Sequence, residues 1–335
     1  MTWLNYKIYI FRIMNRVKLI ILSALSLYGC NSTTKPQKMP VKHDKIVIAH
    51  RGASGYLPEH TMASKAMAYA MHPDFLEQDL VLSKDDVPIV IHDIQLETVT
   101  DVASKFQERK RDDGRFYVID FTYKELLQLQ VRERFDPKRG EAVYKNRFPL
   151  HQSTFKLHSL QEEIELIQGL NKSTGNTIGI YPEIKEPKFH NDEGKDISRI
   201  VLKVLSDYGY KTKNDNCILQ CFDAQELKRI RQELKCEFFL VQLIELKQEE
   251  KLLKEFATYA DGIGPWYKQM SEHLVKDAHD LNLKVHAYTF RADDLENFNS
   301  FDELLDFGFN TLELDGIFTD FPDKAVSFLL KEECR

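Results

Sequence analysis

Ile46-Val47-Ile48-Ala49-His50-Arg51-Gly52 is a short apolar run that ends in polar residues and a glycine. Pro58 and an Ala- and Met-rich run from Ser64 to Met71 follow, and then comes Phe75-Leu76-Glu77-Gln78-Asp79-Leu80-Val81-Leu82. Short apolar runs bounded by turn residues suit strands covered on both faces, and the Ala-rich stretch between these two favours a helix. They predict strand, loop, helix, strand. Further out, comparable runs lie at Ile178 to Ile184, Cys217 to Phe222, Phe238 to Ile244, Gly262 to Gly264, Val285 to Phe290 and Leu314 to Phe318. Apolar residues at three-to-four spacing predict helices at Ile197 to Tyr208, Ala224 to Leu234, Gln248 to Tyr259, Glu272 to Leu281 and Leu295 to Phe307. Eight strands alternating with helices predict an α/β chain folded as a (β/α)8 TIM barrel.

Two segments depart from the alternation. Pro88 to Ile91 follows the second strand after only a polar turn around Lys84-Asp85-Asp86, too short for a crossover helix, so the two form a hairpin. From Asp93 to about Leu157 the chain is polar, charged and weakly periodic, long for a connection in a compact barrel, and is expected to be a small inserted subdomain. No second apolar core that would demand another full domain is visible.

The composition, 43% hydrophobic and 29% charged in 335 residues, is that of a globular chain and excludes disordered and collagenous classes. The net charge is −6, and residues 1–29 carry Lys7, Arg12, Arg16 and Lys18 with no acid, so the remainder carries −10. Nucleic acid is not an expected partner of so acidic a chain.

Arg12, Arg16 and Lys18 precede an apolar run from Leu19 to Leu27 that is too short to span a bilayer, which is the pattern of a secretory signal peptide. Met14 offers an alternative translation start. Leu27-Tyr28-Gly29-Cys30 resembles a bacterial lipobox, although Tyr28 replaces the usual small residue. The expected order is therefore a signal peptide over 1–29, then lipidated Cys30 and a Ser-, Thr-, Lys- and Pro-rich tether over 30–44, then the barrel over 45–335. A plain cleaved signal peptide is the alternative. Of the other cysteines, Cys217, Cys221, Cys236 and Cys334, the first two share one face of a strand, too far apart to bridge, and read as core thiols.

Barrel enzymes work at the C-terminal ends of their strands. The polar strand ends here are His50-Arg51, Glu77-Gln78-Asp79, His92-Asp93 and Glu183-Ile184-Lys185. Residues two apart in a strand share a face, so Glu77 and Asp79 point together, as do Glu183 and Lys185. Facing inward, three carboxylates against one lysine leave negative charge that suits a hard divalent cation, Ca2+ or Mg2+, better than zinc. Facing outward, they would be a solvated strand. His50 and His92 titrate near neutral pH and can serve as acid and base, while Arg51 and Lys185 can neutralise phosphate oxygens. Phe222, Trp266 and Tyr288 lie near strand ends and would either wall a pocket or fill the core.

Val47-Ile48-Ala49-His50-Arg51-Gly52-Ala53, Pro58-Glu59-His60-Thr61, Leu76-Glu77-Gln78-Asp79, Val90-Ile91-His92-Asp93, Tyr181-Pro182-Glu183-Ile184-Lys185 and Phe318-Thr319-Asp320-Phe321-Pro322 together resemble the glycerophosphodiester phosphodiesterases. The resemblance runs from about Lys45 to Phe328 and is nearest to the periplasmic bacterial branch, in its lipoprotein form. It implies metal-dependent hydrolysis of deacylated phospholipids, such as glycerophosphocholine and glycerophosphoethanolamine, to glycerol 3-phosphate and an alcohol. It also implies Ca2+ as cofactor, with Mg2+ as a substitute, and a periplasmic or outer-membrane location through the lipid anchor. By position, His50 and His92 match the acid–base pair, Glu77, Asp79 and Glu183 the metal ligands, and Arg51 and Lys185 the phosphate-binding residues. His60 stands where many members have Asn, and is read as having no direct part in the site. Two alternatives stay open: a phospholipase acting on intact or lyso-phospholipids, and a surface lipoprotein that binds a host protein.

Overall fold

The computed structural model describes residues 44–333 apart from positions 246 and 272. The expected signal peptide, Cys30, nearly all of the tether, and Cys334 lie outside the described residues. Among these residues, eight parallel strands close on themselves: β1 (Ile46–Ala49), β2 (Phe75–Leu82), β6 (Gly179–Ile184), β7 (Ile218–Cys221), β8 (Phe239–Ile244), β9 (Gly262–Pro265), β10 (Lys284–Phe290) and β11 (Gly316–Thr319). The closure is the pairing of β1 with both β2 and β11. β3 (Pro88–Val90) runs antiparallel to the far end of β2, so the expected hairpin is present. The chain is thus the predicted (β/α)8 barrel.

Side-chain alternation divides the strands into two cores. Ile48, Tyr181, Ile218, Val241 and Phe318 point inward and plug the barrel below its C-terminal mouth, where the Tyr181 hydroxyl meets His286 Nδ1 at 2.9 Å. The opposite faces, among them Val47, Leu76, Leu80, Ile180, Leu219 and Leu240, pack against the surrounding helices. Because the plug fills the lower barrel, polar residues at the upper strand ends are held over a rigid floor.

Two helices differ from the sequence expectation. The stretch expected as Leu295 to Phe307 becomes helical only at Phe301–Asp306, because Ser300 caps it by accepting from the Glu303 amide at 3.1 Å. Gln248 to Tyr259 forms a 3-10 turn, Lys247–Leu252, and one α-helical turn, Leu253–Phe256, since its buried apolar residues, Leu253 and Phe256, come only at the end. The helix Leu160–Thr174, which is not among the helices expected from apolar spacing, is capped by a reciprocal Ser159–Glu162 box.

That helix staples β2 from behind. Lys65, on the helix Met62–Ala70, pairs with Glu163 at 2.9 Å and donates to the Glu77 carbonyl, while Glu163 also holds Gln78 and His158. Lys65 and Glu163 are fully buried. Removing one partner of such a pair strands the other charge, so Lys65→Met is expected to cost about 3–5 kcal/mol in a denaturant titration; a loss below about 1 kcal/mol would show that His158 and Gln78 alone satisfy Glu163.

Residues 93–157 form the insertion, with a small hairpin of β4 (Phe135–Asp136) and β5 (Glu141–Ala142) and single-turn helices at Val102–Lys105 and Tyr123–Leu126. It is held by a small cluster, in which Leu96, Val99, Val102, Phe116, Val118, Phe121, Leu126, Leu129 and Val131 bury together against Val81, Ile89 and Ile91 of the β2–β3 hairpin. Irregular backbone spaces these residues without helical or strand period, which hides them from pattern reading.

Candidate active site

The first site element is the turn after β1. Arg51 adopts φ 58° and Gly52 φ 89°. A Cβ on Gly52 would fall 2.6 Å from Ser64 Oγ and 2.9 Å from the Ser64 backbone carbon, so only glycine allows the chain to press against the following helix. This left-handed turn sends the Arg51 amide to Glu77 Oε2 at 2.7 Å and its guanidinium to Glu59 Oε1 at 3.0 Å.

Strand register assembles the acidic group. Asp79 lies beside Glu183, and Glu183 beside Gln220, while Glu77 stands two residues earlier on the same face of β2. One oxygen from each of Glu77, Asp79 and Glu183 lies within 4.8 Å of the other two, and all three residues are buried. Inward orientation, one of the two open choices, is therefore the observed one. Burial and the neighbouring charge of Asp79 push the Glu77 carboxyl far up, and burial raises Glu183 to about 8 even with Lys185 Nζ at 2.8 Å. Asp79 stays well below the usual range, since Lys185 and the histidines outweigh its burial. Asp79 Oδ1 has no hydrogen-bond partner, its nearest cation being Lys185 Nζ at 3.9 Å. Crowded, buried carboxylates with an orphaned oxygen fit a hard divalent cation.

Both histidines are backed by aspartates. His50 Nδ1 lies 2.6 Å from Asp320 Oδ1, and His92 Nδ1 lies 2.5 Å from Asp93 Oδ1. Each ring therefore keeps Nε2 for other contacts, and His50 Nε2 reaches 3.9 Å from Glu77 Oε2. Burial, then the positive field of Arg51, lowers His50 to about 4 and His92 to about 3, so both are neutral at neutral pH.

His50, Arg51, Glu77, Asp79, His92, Glu183 and Lys185 all line one cavity of about 260 Å³. Phe222, Trp266 and Tyr288 line it too, in the wall position rather than the core. Five further residues belong to the site and were not assigned to it from sequence. Gln220 lines the cavity with its Oε1 buried and unpartnered, and Arg291 lines it with Nε held by Asp320 at 2.7 Å. Asp320 lies in the stretch Phe318-Thr319-Asp320-Phe321-Pro322, and Arg134 and Arg147 come from the insertion. His60 stays outside the cavity lining, as expected, but its Nε2 contacts Asp79 Oδ2 at 2.7 Å and so braces a candidate ligand from behind.

The model of the glycerophosphoryl diester phosphodiesterase family matches residues 50–324. A glycerophosphodiester phosphodiesterase of Haemophilus influenzae is 46% identical, with 94% of this chain and 98% of that protein covered. One from Treponema pallidum is 39% identical over 86% of this chain and 92% of its own length. Among solved structures, an Oleispira antarctica phosphodiesterase in complex with the product sn-glycerol-3-phosphate superposes with a TM-score of 0.61 at 21% identity, covering 85% of this chain and 96% of its own, which bears on the fold.

Proposed function

Because this chain belongs to the glycerophosphoryl diester phosphodiesterase family and is an enzyme of that class, we propose that it hydrolyses deacylated phospholipids such as glycerophosphocholine and glycerophosphoethanolamine. The products are glycerol 3-phosphate and the free alcohol. The observation that carries this reading is the meeting, in one cavity, of a buried carboxylate trio, the cationic side chains of Arg51, Lys185 and Arg291, and two neutral imidazoles.

Glu77, Asp79 and Glu183 would hold a divalent cation, Ca2+ in the first place and Mg2+ as a substitute. When bound, such a cation supplies positive charge that polarises an oxygen nucleophile and offsets charge on the phosphoryl group. Arg51 Nε, a buried donor with no hydrogen-bond partner, and Lys185 Nζ would take the non-bridging oxygens. Each imidazole has its Nδ1 proton committed to an aspartate, so the ring that stays neutral accepts the nucleophile's proton at Nε2, while the other must enter the reaction protonated on both nitrogens to give its Nε2 proton to the departing alcohol. A bound phosphodiester anion raises the pKa of both rings and so favours the protonated partner.

The decisive assay is glycerol 3-phosphate release from glycerophosphocholine by the purified protein, with EDTA and after adding back Ca2+, Mg2+ or Zn2+. Release is expected to fall by at least about a hundredfold with EDTA and to return with Ca2+. No release with any metal, from folded protein given several glycerophosphodiesters, would overturn the reading and favour cleavage of acylated lipids.

The same proposal holds the enzyme in the periplasm or outer membrane through an acylated Cys30. Its support is the basic residues, short apolar run and lipobox-like Leu27-Tyr28-Gly29-Cys30. Cys30→Ser is expected to move the protein from the membrane to the soluble fraction; retention in the membrane would remove the anchor from the proposal.

A further inference from the structure

Behind each histidine–aspartate pair stands an arginine, and both arginines come from the insertion rather than the barrel. Arg134 NH1 donates to Asp93 Oδ2 at 2.7 Å, while its Nε and NH2 grip Glu59 at 3.0 and 2.6 Å. Glu59 in turn holds Arg51. Arg147 NH2 donates to Asp320 Oδ2 at 2.6 Å, its Nε and NH2 clasp Asp293 at 2.8 and 3.1 Å, and NH1 reaches the Ser54 carbonyl at 3.3 Å. In both pairs the aspartate gives Oδ1 to the imidazole and Oδ2 to the insertion.

We propose that the insertion is a working part of the active site, with Arg134 and Arg147 as positioning residues that hold Asp93 and Asp320 so that His92 and His50 keep Nε2 toward the cavity. This inference rests on the reading of His50 and His92 as the acid–base pair. An aspartate held at one oxygen can rotate and carry the imidazole with it; a charge-assisted bond at the second oxygen fixes its plane. Each guanidinium spreads at least three donors over two or more elements, a task that one ammonium cannot perform. The apolar cluster under the insertion, seated on Val81, Ile89 and Ile91, supplies the rigid platform from which the arginines reach. Glu133, buried beside this network and facing Glu59, Arg147 and Asp320, is raised to about 8 by burial and by Glu59, so it does not compete as an anion for the arginines near neutral pH.

Asp320 is also held by Arg291, whereas Asp93 has Arg134 and the Thr98 hydroxyl. The larger effect therefore belongs to Arg134.

The test uses the full chain with saturating Ca2+ and glycerophosphocholine. Arg134→Met is expected to lower kcat roughly a hundredfold and Arg147→Met roughly tenfold, with KM within about threefold of wild type. Arg134→Lys and Arg147→Lys should recover only part of the loss, and they serve as the test if either Met variant fails to fold. In spectra of 15N-histidine-labelled protein, with signals assigned from His50→Ala and His92→Ala, Arg147→Met should shift the His50 imidazole and leave His92 in place. Arg134→Met should do the reverse. Wild-type kcat with unmoved imidazole signals, or a loss of activity that follows melting temperature with no selective shift, would overturn the inference. Wild-type protein that releases no glycerol 3-phosphate would sink the proposed function instead, and the imidazole spectra would still decide whether each arginine governs its own histidine.

Discussion

Glu77→Gln is expected to lower kcat for glycerophosphodiester hydrolysis by at least about a thousandfold at saturating Ca2+, while the unfolding midpoint of the metal-free protein stays in place or rises. The two halves of this result have one cause. Burial and the neighbouring Asp79 push the Glu77 carboxyl far up, so in the metal-free protein it is held uncharged and neutral Gln replaces it without breaking a stabilising ion pair. Gln keeps the size of Glu and can still accept the Arg51 amide. Gln220, which donates to Glu77 Oε1 at 3.3 Å and has its own Oε1 unpartnered, can turn its amide over to accept from the new NH2 group.

What the variant loses is the negative charge that pays for desolvating a divalent cation. Wild-type protein is expected to melt later as Ca2+ is added, since a ligand at a hundred times its Kd stabilises by about 2.7 kcal/mol, and Glu77→Gln should lose most of that increment. Calorimetric titration would report the same loss without reference to turnover. A variant that retains full Ca2+-dependent turnover would show that the trio is not the metal site, and Asp79 and Glu183 would then need another explanation for sharing a buried row.

The legible and illegible parts of this molecule divide by how far apart in the chain the interacting residues lie. β1 could be read to the residue because a strand covered on both faces is a continuous apolar run with a hard polar end, and β2 because apolar pairs and triplets flank its central Glu77-Gln78-Asp79. Helix ends were less clear. Asn299 and Ser300 end the loop and start the helix Phe301–Asp306, a capping signal that apolar spacing alone overrides. Ser159 and Glu162 show the same box in sequence, which could have revealed the helix Leu160–Thr174.

For the site, pairs on one strand were legible and pairs between strands were not. Spacing puts Glu77 with Asp79, but only register puts Asp79 beside Glu183. Asp320 meets His50 across 270 positions, and Arg147 meets Asp320 across 173, from a segment with no period to mark it. Nothing in the spacing marks that His60 reaches Asp79, 19 positions further on. Its left-handed backbone, φ 55°, turns the ring onto Asp79.

His50→Ala and His92→Ala are each expected to lower kcat on glycerophosphocholine by roughly a hundredfold to ten-thousandfold with little change in KM. The two should part company on a substrate whose leaving group needs no proton. Choline's alkoxide leaves poorly unless it is protonated, whereas 4-nitrophenolate is stable as an anion at neutral pH. On the 4-nitrophenyl ester of glycerol phosphate, the variant lacking the acid should therefore regain most of its rate, and the variant lacking the base should regain none. The geometry constrains which outcome is informative. Both rings have Nδ1 on an aspartate and burial lowers both pKa values, so neither the aspartate contact nor the charge separates their roles. Their surroundings do differ: His50 is enclosed and its Nε2 lies 3.9 Å from Glu77, one of the candidate metal ligands, while the His92 side chain is 32% exposed. A base belongs near the group that polarises the nucleophile, and an acid belongs where the alcohol departs to solvent. Rescue is accordingly expected for His92→Ala and not for His50→Ala. Rescue of His50→Ala alone would reverse the assignment, and equal losses on both substrates would remove leaving-group protonation from the rate-limiting step.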